Sequence, residues 1–207
     1  MATLAVETPH GQANVHLHPA ERPRGALVLG HGAGGRVSSR DLVAVTDAAL
    51  EGRVSVALVE QPYRVAGRRS PPPAHQLDAA WRAVVDHLRS GGLQGVPLVV
   101  GGRSSGARVA CRTAAATGAV GVLCLAFPLI PPRRSGASAP QSRLGELDGV
   151  RAPTLVVQGE RDPFGIPPAA AHRRVVQVAG DHGLRSDLQA VAAAVKEWLS
   201  HVLTRPP

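Results

Sequence analysis

Aromatic side chains are nearly missing from this chain: two Phe, two Trp and one Tyr in 207 residues. Its interior must therefore be filled by Val, Leu and Ala, and no aromatic residues interleave with basic ones to stack nucleic-acid bases. Lysine is scarcer still. Of 23 basic residues, 22 are Arg and Lys196 is the one Lys. The formal net charge is +8, but the arginines are scattered, adjacent only at Arg68-Arg69, Arg133-Arg134 and Arg173-Arg174. Without a basic run, the charge reads as codon bias of a GC-rich genome, and no nucleic-acid partner is expected. No apolar stretch approaches the roughly 20 residues of a membrane span. The opening Met-Ala-Thr-Leu-Ala-Val-Glu has neither a basic start nor an apolar core, so a cytoplasmic protein away from membranes is expected. Cysteine is limited to Cys111 and Cys124. Neither has metal-ligand spacing, and both read as small buried hydrophobes.

What the chain does have is glycine, at 23 residues, and the most informative cluster spans residues 96–110. There Val-Pro-Leu-Val-Val runs into Gly-Gly-Arg-Ser-Ser-Gly and then into small residues. Gly102-Arg103-Ser104-Ser105-Gly106 is a Gly-x-Ser-x-Gly match, and only Ser104 has glycine on both sides at two residues' distance. The five-residue pattern alone is weak. Composition predicts about 0.15 matches by chance in such a chain, and a glycine- and serine-rich turn ending a strand is the plain alternative. Context adds weight. An apolar strand, a tight turn and a small-residue helix together present a serine hydroxyl at the turn.

The surrounding pattern predicts an α/β fold. Leu4 to Leu17 alternates around Pro9-His10-Gly11 and reads as a hairpin within residues 1–24. Strands are expected at 26–29, 54–59, 96–100, 120–126, 154–158 and 175–178. Helices are expected at 39–50, 75–90, 106–116 and 186–202. In the second of these, Leu77, Ala80, Trp81, Val84, Val85 and Leu88 make one apolar stripe, which assigns Trp81 to the core. Ser186 and Gln189 suggest a capping box for the last helix. Residues 128–149, rich in Pro, Gly, Ser and Arg, read as a loop rimming the site, as does 63–73. Alternating strands and helices imply one domain over 1–207 with a mostly parallel sheet covered on both faces. Chemistry in such a sheet belongs at the carboxyl ends of the strands.

A serine nucleophile needs a base and an orienting carboxylate. Gly-Glu-Arg-Asp after the strand at 154–158 offers Glu160 and Asp162, and Ala-Gly-Asp-His after 175–178 offers His182. The order Ser104, Asp162, His182 is that of the alpha/beta hydrolases. Asp162 is preferred to Glu160 because it lies further into its loop. Asp181 reads as a turn residue. For the oxyanion hole, the N–H of Ser105 is one donor, and Ala33, then Gly34, the candidates for the other. His31 in the same loop more often braces such a loop than acts as base. With Tyr63 and Phe164 it is expected to contact substrate. His16 and His18 alternate on a strand without a third ligand, so no metal site is expected, and the chemistry requires no cofactor.

Several blocks together carry a resemblance. They are His-Gly-Ala-Gly-Gly at 31–35, Gln-Pro-Tyr at 61–63, Gly-Arg-Arg at 67–69, Gly-Gly-Arg-Ser at 101–104, Phe-Pro-Leu-Ile-Pro-Pro at 127–132, Gln-Gly-Glu-Arg-Asp-Pro-Phe-Gly at 158–165 and Gly-Asp-His at 180–182. Over about residues 25–200 the sequence resembles the dienelactone-hydrolase-like branch of the alpha/beta hydrolases. It is most similar there to bacterial hydrolase-like proteins allied with the testis-expressed and non-specific-lethal complex proteins. The resemblance implies the same triad and oxyanion hole, a small-molecule acyl substrate and no large cap. Where the family has Met-Gly-Gly after the serine, this chain has Ser105-Gly106-Ala107. Three functions fit: a serine esterase, a catalytically silent binding or scaffold protein, and an acyltransferase or peptidase using the same residues.

Overall fold

The computed structural model describes residues 2–131 and 140–204. The chain opens with the antiparallel hairpin β1 (Ala2–Thr8) and β2 (Gly11–His18). It continues through β3 (Gly25–Gly30), α1 (Arg40–Glu51), β4 (Val54–Glu60), α2 (Pro62–Val65), α3 (Ala74–Ser90), β5 (Leu98–Arg103) and α4 (Ser105–Thr117). It closes with β6 (Gly121–Leu125), α5 (Leu144–Asp148), β7 (Thr154–Gly159), β8 (Arg173–Val178) and α6 (Leu188–Val202). The eight strands form one sheet in the order β1-β2-β4-β3-β5-β6-β7-β8. Pairing is antiparallel from β1 to β4 and parallel from there on. The chain leaves β3 toward β4 on one side and returns to β5 on the other. That reversal opens a crevice beyond the carboxyl ends of β3 and β5.

The strands sort side chains into two layers because alternate residues face opposite sides. Ala26, Val28, Leu98, Val100 and Val156 join the core beneath α3 and α4. Leu27, Leu29, Val99, Leu155 and Val157 join the core beneath α1 and α6. Central strands buried on both faces read as unbroken apolar runs, which is why they stand out in the sequence. Trp81 is fully buried in the first layer. Its ring lies so close to β3 that a Cβ on Gly30 would come within 3.2 Å of it. Cys111 and Cys124 are free, buried thiols with their sulfurs 3.4 Å apart. On the outer face of the second layer, Lys196 Nζ meets Glu51 Oε2 at 2.6 Å and ties α6 to α1.

Three details differ from expectation. Pro62 at the first position of α2 fixes a helical φ and starts a short helix within the segment expected as rim. The 128–149 stretch contains α5, whose Glu146 takes two guanidinium bonds from Arg108 of α4. Residues 132–139 of that stretch lie outside the described residues. The last helix is capped by Asp187, not Ser186. Asp187 Oδ1 accepts the Ala190 N–H at 2.9 Å, while Ser186 stays exposed. Asp187→Ala should therefore cost about 1 kcal/mol, read as a lower urea midpoint at unchanged slope. Ser186→Ala should stay within about 0.5 kcal/mol. The reverse ranking would return the cap to Ser186.

Candidate active site

Ser104 sits at the turn between β5 and α4 with φ 52° and ψ −107°. A positive φ is strained for a residue with a Cβ, and packing on both sides enforces it. A Cβ on Gly102 would lie 2.5 Å from the Gly30 carbonyl oxygen and 2.7 Å from the Gly106 carbonyl carbon. A Cβ on Gly106 would be driven into the Gly30 carbonyl in turn. These two glycines let β3, β5 and α4 meet backbone to backbone. The Ser104 N–H donates to Leu125 O of β6 at 2.9 Å, which fixes the turn from its far side. Ala107 is accommodated in the first core layer, fully buried.

Two later loops bring the other groups to this hydroxyl. Ser104 Oγ lies 3.0 Å from His182 Nε2, and His182 Nδ1 lies 2.8 Å from Asp162 Oδ2. The Asp162 side chain is fully shielded from solvent. It also accepts the Phe164 N–H at 2.9 Å on Oδ1 and a Gln158 Nε2–H at 2.8 Å on Oδ2. A buried carboxylate needs such donors. The Phe164 ring packs edge-on against the imidazole, centroids 4.5 Å apart. Asp181 closes the histidine loop by accepting the Gly183 N–H at 2.8 Å. Glu160 points to solvent and is not part of the cluster.

Gln158 is a site residue that spacing did not single out. It is fully buried at the end of β7. Its Oε1 accepts the Phe127 N–H at 2.9 Å, and its Nε2 donates to Phe127 O, Gly165 O and Asp162. The signal was present: an amide closes a strand core that otherwise reads Leu-Val-Val.

The loop after β3 lies beside the nucleophile. A Cβ on Gly32 would sit 3.6 Å from Ser104 Cβ. A turn bonded from Gly35 N–H to Gly32 O carries Ala33 and Gly34 at its corners. Among the described residues, the Ala33 and Gly34 N–H groups donate to no protein acceptor. Ser105 opens α4, where the first N–H groups have no partner within the helix. Two side chains expected to contact substrate turn their polar atoms inward. His31 is 3 % exposed, and both its nitrogens are committed to backbone. Nδ1–H donates to Gly32 O at 2.7 Å, and Nε2 accepts the Gln61 N–H at 3.1 Å. Tyr63 is also buried, and its hydroxyl donates to Ala33 O at 2.7 Å. Burial raises its phenol pKa to about 12. Both side chains hold the loop through these bonds. Phe164 alone of the three is partly exposed, with its ring beside the imidazole. His16, on the hairpin, pairs with Thr3 Oγ1 at 3.2 Å.

A sequence model of the alpha/beta hydrolase domain matches residues 23–195. The chain belongs to the alpha/beta hydrolase family. Solved structures agree in fold. A serine hydrolase without a lid from Xanthomonas campestris superposes with a TM-score of 0.79 at 19% identity, covering 100% of this chain and 96% of that one. Est1E from Butyrivibrio proteoclasticus gives 0.79 at 16% identity, with 99% and 100% covered. A dienelactone hydrolase from Anabaena variabilis gives 0.75 at 18% identity, with 97% and 96% covered. No curated protein matches the sequence. Among the described residues of this hydrolase, no helix is long and apolar enough to cross a membrane.

The buried His31 gives the hydrolase a pH-dependent stability. Burial is the main cause that lowers its pKa from the ordinary 6.5, and a proton on Nε2 would face the Gln61 N–H. Below 6.5 the unfolded chain then binds the proton more tightly than the folded one. Stability from this group is whole above that value and is lost as pH falls through the folded pKa. Thermal midpoints measured from about pH 7.5 to about pH 5 should fall more steeply in the native protein than in His31→Asn. Equal slopes would contradict the assignment.

Proposed function

We propose that this hydrolase cleaves an ester or related acyl bond through an acyl-enzyme intermediate. The observation that carries the reading is the unbroken run of hydrogen bonds from the Ser104 hydroxyl through His182 to the buried Asp162. Ser104 Oγ attacks the acyl carbon while His182 Nε2 takes its proton. The carbonyl oxygen, now negative, is held by the N–H groups of Ser105 and Ala33, with Gly34 beside them. Collapse breaks the bond to the leaving group, which departs with the proton from His182. Water repeats the sequence and releases the acid. Asp162 keeps the proton of the neutral imidazole on Nδ1 and stabilises the imidazolium. Every proton in this cycle is carried by the chain's own residues or by water.

The substrate class rests on two further supports. The partly exposed Phe164 offers an apolar contact beside the reacting atoms. Among the similar structures, Est1E is seen with ferulic acid bound, a carboxylic acid of the kind acyl cleavage releases. The blocks at 31–35, 101–104 and 158–165 support placing the chain beside the bacterial hydrolase-like proteins named above. Two free cysteines suit a reducing cytoplasm, and a small molecule rather than nucleic acid is the intended partner.

Fluorophosphonate should label the native protein, and Ser104→Ala should abolish both labelling and p-nitrophenyl acetate hydrolysis. Asp162→Asn should cut kcat by about 10³- to 10⁴-fold with the fold intact. No labelling and no turnover would favour a scaffold. An added amine or alcohol that captures the acyl group ahead of water would make the protein a transferase.

A further inference from the structure

Arg103 stands between Gly102 and the nucleophile, and the acyl chemistry above does not use it. Its guanidinium nevertheless meets three separate elements. Nη2 donates to the main-chain carbonyl of His182 at 3.0 Å. Nε lies 2.9 Å from Oδ2 of Asp41 on α1, an ion pair whose acid is only 1 % exposed. Nη1 packs on the oxyanion loop, since a Cβ on Gly32 would come within 2.9 Å of it.

We infer that Arg103, oriented by Asp41, is a positioning residue that sets the place of His182 against Ser104. The inference rests on the acyl-transfer reading and gives that site a further part. Two neighbours in the chain grip one histidine. Residue 103 holds its backbone oxygen, and residue 104 meets its Nε2. Both grips start from the same end of β5, so the imidazole is referenced directly to the strand that carries the hydroxyl. Asp162 reaches His182 from β7 and fixes the angle of the ring. The Arg103 bond fixes the backbone that bears it.

An ion pair whose acid is buried is a poor device for stability alone, because apolar residues of similar volume often serve as well. The directional bond to a carbonyl is what such residues could not supply. Lysine could not supply the whole set either. Its single ammonium cannot span Asp41 and His182 O with the geometry of a planar fork.

The test compares native protein, Arg103→Lys, Arg103→Met and the double variant Asp41→Asn/Arg103→Met. Three quantities are read: thermal midpoint, kcat and KM for p-nitrophenyl acetate, and the low-field proton NMR signal of His182 Nδ1–H. That signal is identified by its loss in His182→Gln. Both single variants should lower kcat about ten- to hundredfold with KM within about twofold, the scale expected of a small misplacement, and the signal should broaden or vanish. The double variant buries no unpaired charge, so its thermal midpoint should return to near native while kcat stays low and the signal stays lost. Recovery of kcat and signal along with stability would overturn the inference. If the double variant fails to fold, Arg103→Lys decides, and native kcat and signal there would overturn it. If native protein shows no turnover, the acyl-transfer reading falls, and the NMR signal still rules on Arg103: intact without the guanidinium, it refutes the positioning role; lost, it supports it.

Discussion

The site depends on one close approach: β3, β5 and the first turn of α4 touch through backbone alone at Gly30, Gly102 and Gly106. Any side chain at the last two would push α4 away from the sheet. The Ser104 turn would then relax toward an ordinary φ, and its hydroxyl would leave the reach of His182. The strain at Ser104 is therefore held by the packing of two strands and a helix rather than by any bond the serine makes itself. The same contact lays the loop after β3 alongside the serine, so nucleophile and oxyanion donors are placed by a single constraint.

Around that contact, buried polar side chains act as substitutes for backbone. Gln158 pairs with both the N–H and the carbonyl of Phe127, as a neighbouring strand would, and uses its remaining hydrogen-bonding capacity on Asp162 and Gly165. His31 and Tyr63 do likewise for the loop at 32–35. A loop satisfied in this way does not need to rearrange when charge develops on a substrate, which is where preorganised donors have their value.

Much of this was legible in the sequence, and for definite reasons. The central strands showed because burial on both faces leaves an unbroken apolar run, and the helix at Ala74–Ser90 showed because its stripe has one period. Ser104, Asp162 and His182 could be named because chain order and strand ends restrict where such groups sit. Side-chain direction within a loop has no such period. That is why His31 and Tyr63 were expected to face a substrate, although their nitrogens and hydroxyl turn inward to carbonyls and an amide. The choice between Ser186 and Asp187 as helix cap turned on a single residue of register, which spacing does not resolve. Short α2 and α5 carry too few residues to show a period.

The link between Lys196 and Glu51 has a practical side. Lys196 is the one lysine, so reagents that acylate amines find one side-chain amine in the whole sequence. That target lies on α6, eight residues past Leu188, or about 12 Å along the helix axis. A support or fluorophore attached there would be anchored on the outer flank of the molecule, with the strand ends and their crevice left facing solution.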